Sequence, residues 1–383
     1  MKKIILVSAA MFFLAACSQS QNGNKAILPA QQNETPLDFE VKLPEGFHIS
    51  VFADNVENAR SMALGNKGTV FVGNRSGDKV YALIDEDNDY KIDKKITIAE
   101  GLNMPNGVAF HNGDLYVAEV SKIWKYPNIE ANLNQIPQPI LIYEDLPSET
   151  HHGWKYIAVG PDNKLYVPIG APCNVCEKED PRYASITRMD LDGKNFEVYA
   201  SGIRNSVGFD WHPITKDLWF TDNGRDMMGD DVPTDELNTA AISGLNFGFP
   251  YCHQGDVLDP DFGKNKNCED YIAPAQKLKP HAASLGMLFY TGDMFPEKYK
   301  NQIFIAEHGS WNRSTKIGYD ITLAELDSDN KTVKNFSDFA TGWLGEDQNE
   351  VHGRPVDIIQ LKDGSILVSD DFSNKIYRIT YRK

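Results

Sequence analysis

The sequence predicts an all-β protein, a six-bladed β-propeller with four-stranded antiparallel blades. An apolar strand, a polar turn usually containing Gly or Asp, and a second apolar strand follow one another six times along the chain. The copies lie roughly 45 to 85 residues apart, which is enough chain for one four-stranded blade per copy. No amphipathic helix of useful length interrupts this pattern, so helical and doubly wound folds are disfavoured.

Each copy is interpreted as the central hairpin of one blade. The copies span residues 62–72, 108–117, 157–167, 207–220, 286–305 and 356–368. The longest gap, between Trp219 and Phe304, predicts inserted loops. The final strand, Lys375 to Tyr381, alternates as a half-buried strand does.

The first sixteen residues predict a secretory signal peptide. Lys2 and Lys3 precede an apolar run from Ile4 to Ala16 that is too short to remain as a membrane span. Residues 17–42 are predicted to form a flexible tether because, up to about Pro36, they contain almost no large apolar side chain. Residues 43–383 are predicted to form the propeller.

Cys17 is the predicted lipidation site. The tetrapeptide Leu14-Ala15-Ala16-Cys17 resembles the lipobox of bacterial lipoproteins, in which the cysteine is acylated and becomes the mature N-terminus. Ser18 in the second mature position favours the outer membrane, facing the periplasm or the cell surface. The alternative is cleavage by an ordinary peptidase, with Cys17 incidental.

The formal net charge is −16, and it becomes two units more negative once Lys2 and Lys3 are removed. A surface this acidic repels phosphate backbones, which disfavours nucleic acid as a partner.

Four cysteines remain after Cys17, and an even count in an oxidising compartment predicts two disulfides. The pairing expected is Cys173 with Cys176 and Cys252 with Cys268, while zinc or redox roles stay open as alternatives. Glu177 follows Cys176 where a c-type haem attachment motif has His, so that motif is absent.

Loops beside the strands combine His, Arg, Asn and Gly. His151 and His152 precede the third hairpin, and a histidine is the side chain best suited to accept a hydroxyl proton near neutral pH. A structural hydrogen-bonding role is the alternative.

Arginines flank the fourth hairpin. Arg204-Asn205 leads into it, and Asn223-Gly224-Arg225 leaves it. In each segment a guanidinium can meet a carboxylate while the neighbouring backbone approaches closely. Pairing with the surplus Asp and Glu side chains is the alternative.

Two later loops add further cations and an aromatic face. Residues 307–314 contain Trp311 and Arg313, and residues 352–357 contain Arg354. The repetition of Arg beside Gly on several blades favours an anion-binding function.

The ordered set of motifs resembles the soluble glucose/sorbosone dehydrogenases that depend on pyrroloquinoline quinone (PQQ), especially the sorbosone dehydrogenase-like branch. The motifs are His152 with Gly160-Pro161-Asp162, Gly202-Ile203-Arg204-Asn205, Asn223-Gly224, His308-Gly309-Ser310-Trp311-Asn312-Arg313 and Gly353-Arg354-Pro355-Val356-Asp357. The resemblance extends over about residues 43–378.

The resemblance implies a role for each matching residue. His152 would be the general base that takes the C1 hydroxyl proton of the sugar while hydride leaves C1 for the quinone, and Arg204 would lie beside the reacting centre. The implied cofactor-binding residues are Asn205, Asn223, Arg225, His308, Arg313 and Arg354. The carbonyls of Gly224 and Arg225 would hold a Ca²⁺ that also binds PQQ.

The chemistry of the cofactor agrees with the arginines. PQQ carries three carboxylates, and an acidic protein can hold it only by concentrating cations locally. Arg204, Arg225, Arg313 and Arg354 are the expected cations.

The chain also departs from the family pattern. Gly224-Arg225 stands where glucose dehydrogenases have Gly-Pro, and a lysine that they use for PQQ has no clear counterpart, with Arg313 or His308 as candidate substitutes. The aromatic residues that contact glucose in those enzymes are not recognisable.

The leading functional prediction is a PQQ- and Ca²⁺-dependent oxidation of an aldose or a sugar-derived aldehyde, with electrons passed to a quinone or a protein acceptor. One alternative is a metal-dependent lactonase of the gluconolactonase type. Another is a propeller that binds glycan or protein without catalysis. The acidic loop from Asp85 to Asp93 has carboxylates at alternate positions and is a candidate second Ca²⁺ site, although Tyr90 replaces the Gly of an EF-hand loop.

Overall fold

Six small antiparallel sheets form a six-bladed β-propeller in the computed structural model, which describes Met1 and residues 35–383. The predicted signal peptide, Cys17 and most of the predicted tether lie outside these residues. The predicted fold class is confirmed.

Twenty-seven strands lie in residues 35–383. They are β1 Phe47–Ala53, β2 Ala59–Leu64, β3 Val70–Asn74, β4 Val80–Ile84, β5 Lys94–Ala99, β6 Gly107–His111, β7 Asp114–Ala118, β8 Ile123–Tyr126, β9 Ile140–Tyr143, β10 Ala158–Val159, β11 Lys164–Ile169, β12 Ser185–Asp190, β13 Glu197–Ser201, β14 Phe209–Trp211, β15 Leu218–Asp222, β16 Glu236–Ala240, β17 Leu245–Asn246, β18 Cys252–His253, β19 Val257–Leu258, β20 Gln276–Lys277, β21 Ser284–Phe289, β22 Ile303–Glu307, β23 Asp320–Leu326, β24 Val333–Thr341, β25 Pro355–Gln360, β26 Ile366–Asp370 and β27 Lys375–Tyr381. Three short 3₁₀ helices span Ile129–Ala131, Cys268–Asp270 and Glu297–Tyr299.

The strands form six blades. In order of pairing the blades are blade 1 β2-β3-β4-β5, blade 2 β6-β7-β8-β9, blade 3 β10-β11-β12-β13, blade 4 β14-β15-β16-β20, blade 5 β21-β22-β23-β24 and blade 6 β25-β26-β27-β1. The short strand β17 adds to blade 3 in parallel. Strand β1 pairs with β27, from Phe47 opposite Tyr381, so the two ends of the propeller domain close the ring in one sheet.

The six repeated hairpins are found where they were predicted, but they are not central in the blades. Each is the first two strands of its sheet, and the first strands of neighbouring blades lie side by side, as β2 does with β6 and β25. The hairpins therefore surround the propeller axis.

The apolar core lies between neighbouring blades. Phe71 of β3 and Leu115 of β7 are fully buried in the layer between blades 1 and 2, where the ring of Phe71 stacks on that of Phe110 at 5.7 Å. Burying a side chain of this kind contributes about 1.5–3 kcal/mol. Because every blade is covered on both faces, the second strands read as nearly continuous apolar runs.

The same packing corrects the prediction for the last strand. Strand β27 was expected to be half-buried, yet Ile376 to Thr380 are all buried. The strand lies between β26 and β1 in the sheet, and the apolar layers of two neighbouring blades cover its faces.

The domain boundary predicted at residue 43 is too late. Thr35 pairs with Val51, and Lys42 pairs with Thr341. The ring of Phe39 stacks on His352 with 5.0 Å between ring centres. Residues 35–42 therefore pack on the propeller instead of forming part of a free tether.

The long gap before blade 5 contains the predicted insertion. Strands β17, β18 and β19 and a 3₁₀ helix separate β16 from β20. Both predicted disulfides, Cys173–Cys176 and Cys252–Cys268, are present. Within the part of the chain that the structure describes, no helix has the length and apolar character needed to cross a membrane.

Candidate active site

A cavity of about 300 Å³ opens at one end of the propeller. It is lined by Arg60, Arg75, His152, Trp154, Arg204, Asn205, Asn223, Gly224, Asp226, Asp235, His281, Ala283, Leu285, His308, Gly309, Trp311, Asn312 and Arg354. Most of these residues lie in the loops that lead into the first strand of a blade or leave its second strand. In an antiparallel sheet both loops lie at the same end, so distant sequence segments converge there.

His152 lies in the loop before β10 and adopts a left-handed backbone conformation, with φ of 50°. Its Nδ1 donates to the carbonyl of Ala171 at 2.8 Å, which leaves Nε2 as the ring nitrogen that can accept a proton. Burial, the positive charge of Arg204 and the neighbouring His151 lower the pKa of His152 to about 2. The imidazole is therefore neutral at physiological pH, and its Nε2 carries no proton.

Gly170 allows this position of His152. A Cβ atom at Gly170 would lie 2.6 Å from the Cβ of His152 and 3.0 Å from Oδ1 of Asn205. Only a residue without a side chain fits between these two predicted site residues. Gly170 was not identified from the sequence, because nothing in its local pattern distinguishes it from other glycines.

The carboxylate at the end of β15 positions the loop before β14. Asp222 accepts the backbone N–H groups of Arg204 at 2.8 Å and Asn205 at 2.6 Å. The Arg204 guanidinium is buried and forms an ion pair with Asp226 at 3.2 Å. Blade 6 repeats the arrangement, since Asp370 at the end of β26 accepts the N–H of Arg354 at 3.0 Å.

Asn223 and Gly224 form the wall contributed by blade 4. The side-chain amide of Asn223 donates to the carbonyl of Ser284 at 2.6 Å, and the N–H of Gly224 donates to Asp235 at 3.0 Å. Asp235 also accepts the N–H of Ser284 at 2.9 Å, which ties this wall to blade 5.

The Arg354 guanidinium reaches the loop after β22. It donates to the carbonyls of His308 at 2.9 Å and Gly309 at 2.7 Å and pairs with no carboxylate in the described chain. His308 is held by Asp371 at 2.8 Å, and burial lowers the pKa of His308 to about 4. His308 is thus a neutral group and does not replace a lysine as a cation.

Two arginines of the cavity were missed by sequence reasoning. Arg75 stacks on Trp154 with its guanidinium carbon 3.8 Å from the ring centre, and none of the carboxylates in residues 35–383 forms an ion pair with it. Burial and the nearby Arg60 lower the pKa of Arg75 to about 10. Arg60 is fully buried and pairs with Asp371 at 2.9 Å.

A signal for Arg75 exists in the sequence. It follows β3 as Asn223-Gly224 follows β15 and His308-Gly309 follows β22, so comparison of equivalent loops identifies it. Arg60 lies on strand β2 and has no such signal.

Two arginines predicted to bind the cofactor, Arg225 and Arg313, are not among the residues that line this cavity, and their assignment stays a prediction. Arg225 is buried against Asp259, with 2.5 Å between Nη1 and Oδ2. Arg313 binds Asp231 at 3.2 Å and the carbonyl of Asp230. Both guanidinium groups are neutralised by nearby acidic groups, the alternative that the acidic composition had left open. The Arg225 carbonyl is likewise absent from the lining, whereas Gly224 is present.

The cavity carries net positive charge in an acidic protein. Four arginines face two aspartates, and both aspartates are already hydrogen-bonded. The buried Nε1 of Trp154 and Oδ1 of Asn312 have no partner. The arrangement can hold a polyanionic molecule with a flat apolar part, next to a neutral base.

The acidic loop lies apart from this cavity. Asp85, Asp87 and Asp89 offer oxygen atoms within 4.8 Å of one another, and Asp85 accepts the N–H of Tyr90 at 2.8 Å. Tyr90 takes the left-handed conformation, with φ of 65°, at the position where an EF-hand loop has Gly.

Comparisons with known proteins place the chain in a family and among related folds. The family model for glucose/sorbosone dehydrogenase matches residues 128–374. An uncharacterized protein of Borreliella burgdorferi is 39% identical over 357 residues, which cover 90% of this chain and 91% of that protein. Quinoprotein glucose dehydrogenase B of Acinetobacter calcoaceticus is 22% identical over 263 residues, which cover 56% of this chain and 55% of the relative.

A solved structure shares the fold. The holo form of the PQQ domain of pyranose dehydrogenase from Coprinopsis cinerea superposes with a TM-score of 0.77 at 16% identity. The match covers 90% of this chain and 98% of that one. At this identity the likeness establishes the propeller architecture.

Proposed function

This chain belongs to the glucose/sorbosone dehydrogenase family, and from that premise we propose that it is a PQQ- and Ca²⁺-dependent dehydrogenase. Its proposed substrate is an aldose or the hydrate of a sugar-derived aldehyde, and its proposed electron acceptor is a quinone or a small protein. The observation that carries the proposal is the pairing of a neutral His152 with the unpaired cation of Arg75 in one cavity.

The residues of the cavity fit PQQ. A tricarboxylate needs cations that are not already neutralised, and Arg75 and Arg354 make no ion pair within the described chain. Trp154 offers an apolar ring, and its buried Nε1 has no partner. Arg75 and Arg354 would therefore hold carboxylates, in place of the arginines that lie outside the cavity.

The chemistry divides between the cofactor and the chain. PQQ, when bound, would supply a two-electron acceptor for hydride, and a bound Ca²⁺ would act as a Lewis acid. His152 takes the hydroxyl proton of the substrate at Nε2, while Ala171 holds its other nitrogen and so fixes the tautomer. Arg204 lies beside the base, where its charge stabilises negative charge that develops on the substrate oxygen.

Ca²⁺ is proposed at the carbonyl of Gly224, because Ca²⁺ takes oxygen ligands and Gly224 lines the cavity. The second carbonyl expected from the resemblance, that of Arg225, is not among the lining residues. The calcium requirement is tested by removing the ion with a chelator and restoring it. PQQ-dependent activity that is unchanged by chelation would remove Ca²⁺ from the proposal.

The lactonase alternative has less support. A divalent ion held by side chains needs free carboxylates in the channel, but Asp226 and Asp235 are both engaged in hydrogen bonds. Within residues 35–383, the group of acidic side chains that could hold a metal ion is Asp85, Asp87 and Asp89, which do not line the cavity.

The decisive experiment is a titration of the purified apoprotein, without its lipid, with PQQ in the presence of Ca²⁺. The absorbance of the quinone reports binding, and dye reduction across a panel of aldoses reports turnover. Binding together with sugar-dependent reduction supports the proposal. Binding without reduction by any sugar favours a non-catalytic protein, and lack of binding refutes the cofactor assignment.

A variant pair separates catalysis from binding. Replacing His152 by Ala is expected to leave the PQQ affinity close to that of the wild type and to lower kcat about a hundredfold or more, since general base catalysis contributes at least that factor. A His152→Ala enzyme that turns over like the wild type contradicts the role of the base.

We also propose that the protein is exported and anchored by a lipid on Cys17, with the propeller facing the periplasm or the cell surface. The signal-like residues 1–16 and the two disulfides, which are typical of oxidising compartments, support this. Palmitate labelling and membrane fractionation test it. Cys17→Ala is expected to abolish the label, whereas a membrane-bound, labelled variant would refute the anchor.

A further inference from the structure

The disulfide Cys173–Cys176 encloses two residues, Asn174 and Val175, in the loop that follows β11. This loop runs from residue 170 to residue 184 without a helix or a strand. Such a long irregular loop has many conformations available, and a short covalent ring restricts them. The restricted part lies against the candidate active site.

Asn174 makes four hydrogen bonds to two residues of the cavity. Its carbonyl accepts Nε of Arg204 at 2.8 Å, and its Oδ1 accepts Nη2 of Arg204 at 3.1 Å. The same Oδ1 accepts the N–H of Asp226 at 2.8 Å, and Nδ2 donates to the carbonyl of Asp226 at 3.0 Å. Asn174 thus orients both members of the Arg204–Asp226 ion pair.

The neighbouring residue of the loop holds the base. Ala171 donates its N–H to the carbonyl of Arg204 at 2.8 Å and accepts Nδ1 of His152 at 2.8 Å. Residues 171–174 therefore connect the two proposed catalytic side chains through one short segment, and the disulfide closes that segment at its end.

We propose that Asn174, held by the Cys173–Cys176 disulfide, is a positioning residue that fixes the Arg204 guanidinium beside His152. The inference rests on the proposed function. Loss of the disulfide is accordingly expected to lower turnover. PQQ binding is expected to depend on Arg75 and Arg354, and none of the hydrogen bonds of Asn174 described above reaches either residue.

The test compares Asn174→Ala and the double variant C173S/C176S with the wild type in its PQQ- and Ca²⁺-loaded form. Both are expected to lower kcat about ten- to hundredfold, since displacement of a catalytic group by about 1 Å costs up to a hundredfold. The KM for sugar and the PQQ dissociation constant are expected to stay within about threefold of the wild type, because cofactor and substrate binding use other residues. The triple variant N174A/C173S/C176S is expected to lose no more than the larger of the two separate losses, because both changes act through the same residue.

Two matched controls are available. Val175→Ala lies in the same covalent ring, and C252S/C268S removes the other disulfide. Both controls are expected to keep the wild-type kcat. Equal losses in the controls and in Asn174→Ala would overturn the inference, because they would show a general loss of structure.

A second measurement separates this inference from the proposed function. Beside burial, the charge of Arg204 lowers the pKa of His152, so displacement of Arg204 in Asn174→Ala is expected to raise the titration midpoint of His152. The midpoint is measured by NMR of the imidazole in the protein without cofactor. A raised midpoint supports the positioning role even if the wild type oxidises no sugar, in which case only the proposed function fails. An unchanged midpoint in Asn174→Ala overturns the positioning role, whether or not the wild type oxidises a sugar.

Discussion

Replacement of Gly170 by Ala tests how closely the base is packed. The new Cβ would lie 2.6 Å from the Cβ of His152 and 3.0 Å from the carbonyl oxygen of His152. Carbon atoms in contact are normally about 3.5–4.0 Å apart, so His152 must move by about 1 Å. Since a displacement of that size costs about a hundredfold, we expect kcat to fall about a hundredfold, or about 2.7 kcal/mol of transition-state stabilisation.

The assay is sugar-dependent dye reduction by the PQQ- and Ca²⁺-loaded protein, with thermal unfolding measured in parallel. Gly345→Ala is the control. Its Cβ would meet nothing closer than the Glu350 carbonyl at 3.3 Å, and it lies outside the cavity, so wild-type kinetics are expected. A folded Gly170→Ala enzyme with the kcat and KM of the wild type would refute the argument that Gly170 sets the position of His152.

Three further predictions follow from the charges and cross-links. Arg75→Ala is expected to weaken PQQ binding about ten- to hundredfold, which is the effect of losing a hydrogen bond to a charged group. Arg188→Ala is the control, because the Arg188 guanidinium pairs with Asp162 and Glu197. Equal PQQ affinity of the wild type and both variants in a titration would refute the role of Arg75. The pKa of His152 in the folded protein lies below its value of 6.5 in the unfolded chain, so only the unfolded state takes up this proton as the pH falls below about 6.5. His152 therefore contributes stability at neutral pH that is lost toward acid. The NMR signals of its imidazole are expected to report the neutral form down to about pH 5, and a titration midpoint near 6.5 would contradict this. C252S/C268S is expected to lower the free energy of unfolding by about 3 kcal/mol, because the disulfide closes a loop with a sequence separation of 16. An unchanged free energy of unfolding in a denaturant titration would contradict this value.

The fold was predictable from the sequence because its signal is local. A strand, a tight turn and a second strand can be recognised within about a dozen residues, and six repetitions specify the number of blades. The position of each hairpin within its blade was not predictable, since it depends on which strands face the axis. Burial of β27 on both faces also depends on neighbours that are distant in the sequence.

The candidate site was predictable only in part. The structure brings His152, Arg204, Asn205 and Arg354 together, because their loops all lie at one end of the blades. Side-chain identity could not show which arginines would be neutralised. That depends on the nearest carboxylate, such as Asp259 beside Arg225.

The sequence by itself determined that this is a six-bladed propeller with two disulfides and a set of basic loops, because turns, strand patterns and cysteine count are properties of short segments. The tertiary structure decided which charges remain free in the cavity. It leaves Arg75 without a carboxylate, pairs Arg313 with Asp231, and places Asn174 on Arg204. These outcomes depend on distances of a few ångströms between side chains of different blades. Such distances cannot be read from the patterns of short sequence segments.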